Sequence, residues 1–81
     1  MTTHTIEPVL AMALFVSDAS QFSDLDDSAI RDTVTSTLDR LGADECYARA
    51  AEAFGDYPET AVGRMAWARE RCSRAMTLAL V

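Results

Sequence analysis

The helical character of this chain is clearest in residues 26–42, which read DDSAIRDTVTSTLDRLG. Asp26 is placed to cap a helix, and Gly42 is a residue that tolerates a positive φ at a helix end. Between them, apolar residues recur at helical intervals and lie within about 80° of one another on a helical wheel. They are Ile30, Val34, Leu38 and Leu41. The pattern predicts a helix over residues 27–41.

Helical patterns continue on both sides of this segment. Residues 9–16 read VLAMALFV and are apolar on every side, so periodicity alone does not separate an enclosed helix from a buried strand. Their leucine, alanine and methionine content favours the helix. The predicted helices span roughly residues 6–18, 27–41, 44–54 and 58–79. The sequence therefore predicts one all-α domain over residues 1–81, a small bundle of about four helices with short connections.

Composition and charge narrow the class of protein. The chain has 81 residues and a net charge of −6. Residues 1–45 contain nine acids and two arginines, whereas residues 60–81 contain four arginines and one acid. An acidic total argues against general affinity for nucleic acid, because phosphates require a basic footprint. The uneven distribution is compatible with charge pairing inside the fold or with a partner.

The sequence shows no signal for secretion or for a membrane span. Residues 1–7 contain no lysine or arginine, so the apolar run that follows lacks the charged start of a signal peptide. That run is also far shorter than the roughly 20 residues of a membrane helix. We therefore expect a cytoplasmic protein in which Cys46 and Cys72 stay reduced.

Candidate catalytic and metal-binding groups are few. The single histidine is His4, near the amino terminus, and both cysteines lie on apolar helical faces. Acidic clusters at residues 24–27 and 44–45 coincide with predicted helix starts, where carboxylates cap the helix. Closely spaced cysteine or histidine pairs are missing. We expect no enzyme activity, no metal and no cofactor.

One helix face remains as a candidate binding surface. Residues 64–74 read RMAWARERCSR, and four of them fall within an arc of about 80° on a helical wheel. These four, the arginine stripe, are Arg64, Trp67, Arg71 and Arg74. The stripe suits recognition of an acidic protein, with the tryptophan as anchor. The alternative is that Trp67 belongs to the core and that the arginines pair with acids such as Asp32 and Asp39.

These observations favour a non-catalytic protein-protein interaction module of the regulator, adaptor or inhibitor type. Surplus apolar surface on the first and last helices predicts a homodimer or a covering partner. The alternative is that those two helices pack on each other at the centre of the bundle. A second functional hypothesis is a nucleic-acid-binding protein that uses the arginine-rich fourth helix.

Overall fold

The computed structural model describes residues 8–77, and these form three α-helices. They are α1 (Pro8–Val16), α2 (Asp27–Asp56) and α3 (Pro58–Thr77), and each packs against the other two. No strand occurs among residues 8–77, which confirms the all-α prediction and shows that residues 9–16 are helical. The predicted helix ends at residues 6–7 and 78–79 lie outside the described residues.

The predicted count of four helices is wrong, because the second and third predicted helices belong to one element. The predictions over 27–41 and 44–54 both fall within α2, in which two helical segments are joined across a kink at Gly42. Gly42 has φ 81° and ψ 161°, a conformation open almost only to glycine. The expected positive φ is confirmed, but the break is confined to this residue and needs no separate connection.

Local hydrogen bonds explain where the helices begin and end. Asp26 caps α2 as predicted, since its Oδ1 accepts from the Ala29 N–H at 2.8 Å. The helix α1 ends at Val16, two residues before the predicted end at residue 18, and Ser17 closes it. Both its N–H and its hydroxyl donate to the Leu14 carbonyl, at 3.2 and 2.7 Å. Tyr57 is the single residue between α2 and α3.

The first helix is enclosed by the other two. Four of its residues are buried, namely Ala11, Ala13, Leu14 and Phe15, and only Pro8 is exposed. From α3 the core receives Ala61, Met65, Ala68, Cys72 and Ala75. The first and last helices thus pack together, and the other apolar residues of α1 stay partly exposed, namely Val9, Leu10, Met12 and Val16. The apolar residues 78–81 lie outside the described residues.

The part of α2 after Gly42 turns a face of small residues to the core. Cys46 and Ala50 are buried there, whereas Tyr47 is 43% exposed. Tyr47, Ala50 and Phe54 recur at helical spacing, which predicts that all three form an inner face. The structure buries Ala50 but leaves Tyr47 and Phe54 exposed, so the prediction is wrong for the two rings. Phe54 lies at the edge, with its ring stacked on that of Phe15 at a centroid distance of 5.7 Å. Small side chains allow close helix packing and leave the larger rings outside.

Candidate functional site: a groove between the α1–α2 loop and α3

Residues 17–26 connect α1 to α2 and are called here the α1–α2 loop. The second half of this loop and α3 form the two walls of a groove with a volume of about 470 Å³, called here the loop–α3 groove. Three of the four stripe residues line it, namely Trp67, Arg71 and Arg74. The structure therefore brings most of the predicted site together, but against a wall that the sequence analysis does not anticipate.

Arg64, the fourth stripe residue, is directed into the protein and does not line the groove. Its Nε donates to the Phe15 carbonyl at 2.7 Å. Its Nη2 donates to the carbonyls of Ser17 at 3.0 Å and Ala19 at 2.9 Å. These oxygens belong to the end of α1 and the start of the loop, where no helical amide can reach them. Partial burial lowers the pKa of the Arg64 guanidinium.

Two aromatic rings flank the Arg64 guanidinium. Its central carbon lies 5.0 Å from the centre of the Trp67 ring and 6.0 Å from that of Phe15. Both distances allow a cation–π attraction. Trp67 is half-buried and packs against the core, so it has a core edge and a groove edge at once. Its packing against the core agrees with the alternative in which Trp67 belongs to the core, and its role as a binding anchor stays a hypothesis.

Arg71 holds the other end of the loop. Its Nη2 donates to the Leu25 carbonyl at 2.7 Å, and its Nη1 lies 3.2 Å from Asp27 Oδ1. The Arg71 side chain is only 11% exposed. Pairing with acids of the first half was the alternative interpretation of the stripe. Such pairing occurs, but with Asp27 and not with Asp32 or Asp39.

Arg74 is the stripe residue that stays on the surface. It pairs with Glu70 at 3.2 Å, and the two side chains are 60% and 65% exposed. Arg71 and Arg74 are the two cations that line the groove, and four carboxylates line it with them. The acids are Asp24, Asp26, Asp27 and Glu70. Because the acids outnumber the arginines, the groove is negatively charged.

The tip of the α1–α2 loop presents a phenylalanine to solvent. Phe22 is 91% exposed, between Gln21 and Ser23, which both line the groove. Ser20 shapes the tip: its hydroxyl accepts from the Phe22 N–H at 3.1 Å, and its carbonyl accepts from the Ser23 N–H at 3.2 Å. Phe22 is not among the predicted site residues, and the available signal was a large apolar side chain in a mostly polar connection.

The cysteines lie away from the groove, in the core. Both are free thiols and buried. Burial raises the pKa of Cys72 to about 11, an effect that the charge of Arg71 partly offsets, and burial also raises the pKa of Cys46. Both groups are therefore protonated near neutral pH. The Cys72 thiol donates to the Leu10 carbonyl at 3.4 Å, which ties α3 to α1.

Within residues 8–77, no group of three or more histidine, cysteine, aspartate or glutamate side chains is arranged to hold a metal ion. No helix in that range has the length and apolar character needed to cross a membrane. His4 lies outside the described residues.

Comparison with known proteins finds no match: no protein-family model fits the chain, and neither the curated proteins nor the solved structures include a significantly similar one.

Proposed function

We propose that this protein is a non-catalytic helical interaction module that docks onto another protein through the loop–α3 groove. The observation that carries the proposal is the groove itself. It joins a partly exposed tryptophan to a loop whose two ends are both held by arginines of α3. An aromatic anchor beside charged, ordered side chains is the usual composition of a protein-binding surface.

The charge of the groove indicates the kind of partner. Arg71 and Arg74 are each paired with an acid, so their charges are already balanced. Asp24 and Asp26 are exposed and have no ion-pair partner among residues 8–77. A basic partner complements this surface better than the acidic partner that the sequence suggests. The same excess of carboxylates argues against nucleic acid.

Self-association is a separate part of the proposal and would use a different surface. Four of the nine residues of α1 are buried within the chain, so less of its apolar surface is left for a homodimer. Large apolar side chains remain exposed around the end of α2 and the start of α3, namely Tyr47, Phe54, Tyr57 and Val62. A second copy of the chain could cover this set. Light scattering over a range of protein concentrations measures whether it does.

A charge-reversal experiment tests the docking proposal. The purified chain retains its partner from an extract of the source cells, and the retained protein is then purified and titrated by calorimetry. We expect Asp24→Lys, which alters the groove, to weaken binding at least about tenfold, equivalent to 1.4 kcal/mol. Asp39→Lys is the matched control, since Asp39 is exposed on α2 and does not line the groove. It should leave the affinity unchanged.

Three results would contradict the proposal. Equal weakening by Asp24→Lys and Asp39→Lys would show a general charge effect and remove the groove from the interface. Retention of nucleic acid in place of protein, with an affinity that falls steeply as salt is added, would favour the nucleic-acid hypothesis. Turnover of a substrate by the pure chain would likewise overturn a non-catalytic role.

A further inference from the structure

We propose that Phe22 is the anchor of the docking surface and inserts into an apolar pocket with a basic rim on the partner protein. This inference rests on the proposed function and assigns it a residue and a partner chemistry. Phe22 is 91% exposed, against 69% for Tyr57 and 61% for Val62. Transfer of a phenylalanine ring from water into an apolar pocket lowers the free energy, so it favours binding.

The loop holds the backbone at Phe22 in place before any partner binds. Phe22 lies inside a tight turn from Ser20 to Ser23, which is closed by hydrogen bonds to the Ser20 carbonyl and hydroxyl. On one side of the turn, Arg64 binds the carbonyls of Ser17 and Ala19. On the other side, Arg71 binds the Leu25 carbonyl. A side chain on a pre-ordered loop loses less conformational entropy on binding than one on a mobile loop, so the affinity per contact is higher.

The charges around Phe22 indicate that the rim of the partner's pocket is basic. Asp18, Asp24 and Asp26 are exposed on the same loop, and the loop contains no lysine or arginine. Arginines or lysines around the partner's pocket would complement these acids and speed the encounter. The same acids repel an anionic lipid surface and a phosphate backbone, so a protein is the favoured occupant.

Site-specific photo-crosslinking tests the inference in the full chain. The photoreactive analogue p-benzoylphenylalanine is placed at position 22 and, as a control, at position 57, where Tyr57 is also well exposed. A third position, 74, reports on the groove. Illumination in the source cells should give an adduct with a different protein from position 22. Position 57 should give no adduct with a different protein, since the self-association surface predicts there only an adduct between two copies of this chain.

The partner that crosslinking identifies is then purified in its free form, and its affinity for variants of this chain is measured. We expect Phe22→Ala to weaken binding at least about thirtyfold, as for an interface hot spot, and Phe22→Leu to retain most of the affinity. Tyr57→Ala should stay within about twofold of the wild type. Binding should weaken as sodium chloride is added, because the rim is basic. Thermal unfolding of Phe22→Ala should match that of the wild type, since the ring makes no core contact.

The outcomes separate this inference from the proposed function. Adducts from position 74 without any from position 22, or equal affinity of Phe22→Ala and wild type, would overturn the anchor and leave the docking function standing. A lipid or nucleic-acid adduct at position 22 would overturn the partner chemistry. Absence of adducts with a different protein from all three positions would overturn both proposals.

Discussion

Arg64 in α3 donates a 2.7 Å hydrogen bond to the Phe15 carbonyl at the end of α1, across 49 residues of chain. The same guanidinium binds two more carbonyls at the start of the loop and lies between two aromatic rings. One side chain therefore joins the end of α1, the loop and α3. It stabilises the fold and holds the candidate binding surface together.

Replacement of Arg64 should destabilise the protein more than loss of any exposed arginine. Arg64→Ala removes three charge-assisted hydrogen bonds to carbonyls, and we expect a loss of about 2–4 kcal/mol in the free energy of unfolding. Urea denaturation followed by circular dichroism measures it. Arg69→Ala, an exposed arginine of the same helix, is the control and should stay within about 0.5 kcal/mol. Equal effects of the two substitutions would contradict the assigned role of Arg64.

The two groove arginines should differ in the same assay. Arg71→Ala breaks a largely buried ion pair and a hydrogen bond to the Leu25 carbonyl, and we expect a loss of about 1–3 kcal/mol. Arg74→Ala breaks an exposed pair with Glu70, and the expected loss is below about 0.5 kcal/mol. A larger loss of stability for Arg74→Ala than for Arg71→Ala would show that the Arg71 hydrogen bond to the Leu25 carbonyl is not a major source of stability.

Alanine at two glycines should change stability in opposite directions. Gly42→Ala places a Cβ at φ 81°, and although no atom lies within 4 Å of it, we expect a loss of about 1–3 kcal/mol from backbone strain. Gly63 is helical and also has open space, so Gly63→Ala should stabilise by about 0.5–1 kcal/mol. Thermal unfolding of both variants checks the pair. A stabilised Gly42→Ala variant would show that the positive φ is not retained.

Cys72 should make stability depend on alkaline pH. Its pKa is about 11 in the folded chain against an ordinary value of 9.0, so the folded state binds the proton more tightly than the unfolded state. The contribution of Cys72 to the free energy of unfolding is constant below pH 9 and falls as the pH rises from 9 to about 11. Above the folded-state pKa it is constant again. Cys72→Ala should flatten this part of the unfolding profile. An unchanged profile would contradict the raised pKa of Cys72, since the buried thiol of Cys46 is common to both proteins.

Part of this fold can be predicted from the sequence because local rules dictate it. Ile30 and Val34 are fully or almost fully buried, as their helical spacing predicts, and Asp26 caps α2. Gly42 shows the limit of such rules. A glycine predicts a positive φ, but whether the chain then forms a loop or resumes a helix at once depends on what the next segment packs against. That is decided by tertiary contacts.

The candidate site could be predicted only in part, for a different reason. The helical spacing places Trp67, Arg71 and Arg74 together, as observed. The partners of Arg64 are carbonyl oxygens, which every residue carries, so no sequence pattern marks them. The choice of Asp27 over Asp32 or Asp39 likewise depends on how the loop folds onto α3. Phe22 is a single residue, and a single residue has no periodicity.

Arg64 and Arg71 hold the two ends of the α1–α2 loop through main-chain carbonyl oxygens. These hydrogen bonds therefore do not depend on which side chains the tip of the loop carries. Residues between Ser20 and Leu25 can be exchanged for others without removing an oxygen that Arg64 or Arg71 binds. The protein is thus a natural scaffold for display: libraries randomised at the tip should keep the parent's melting behaviour while acquiring new specificities.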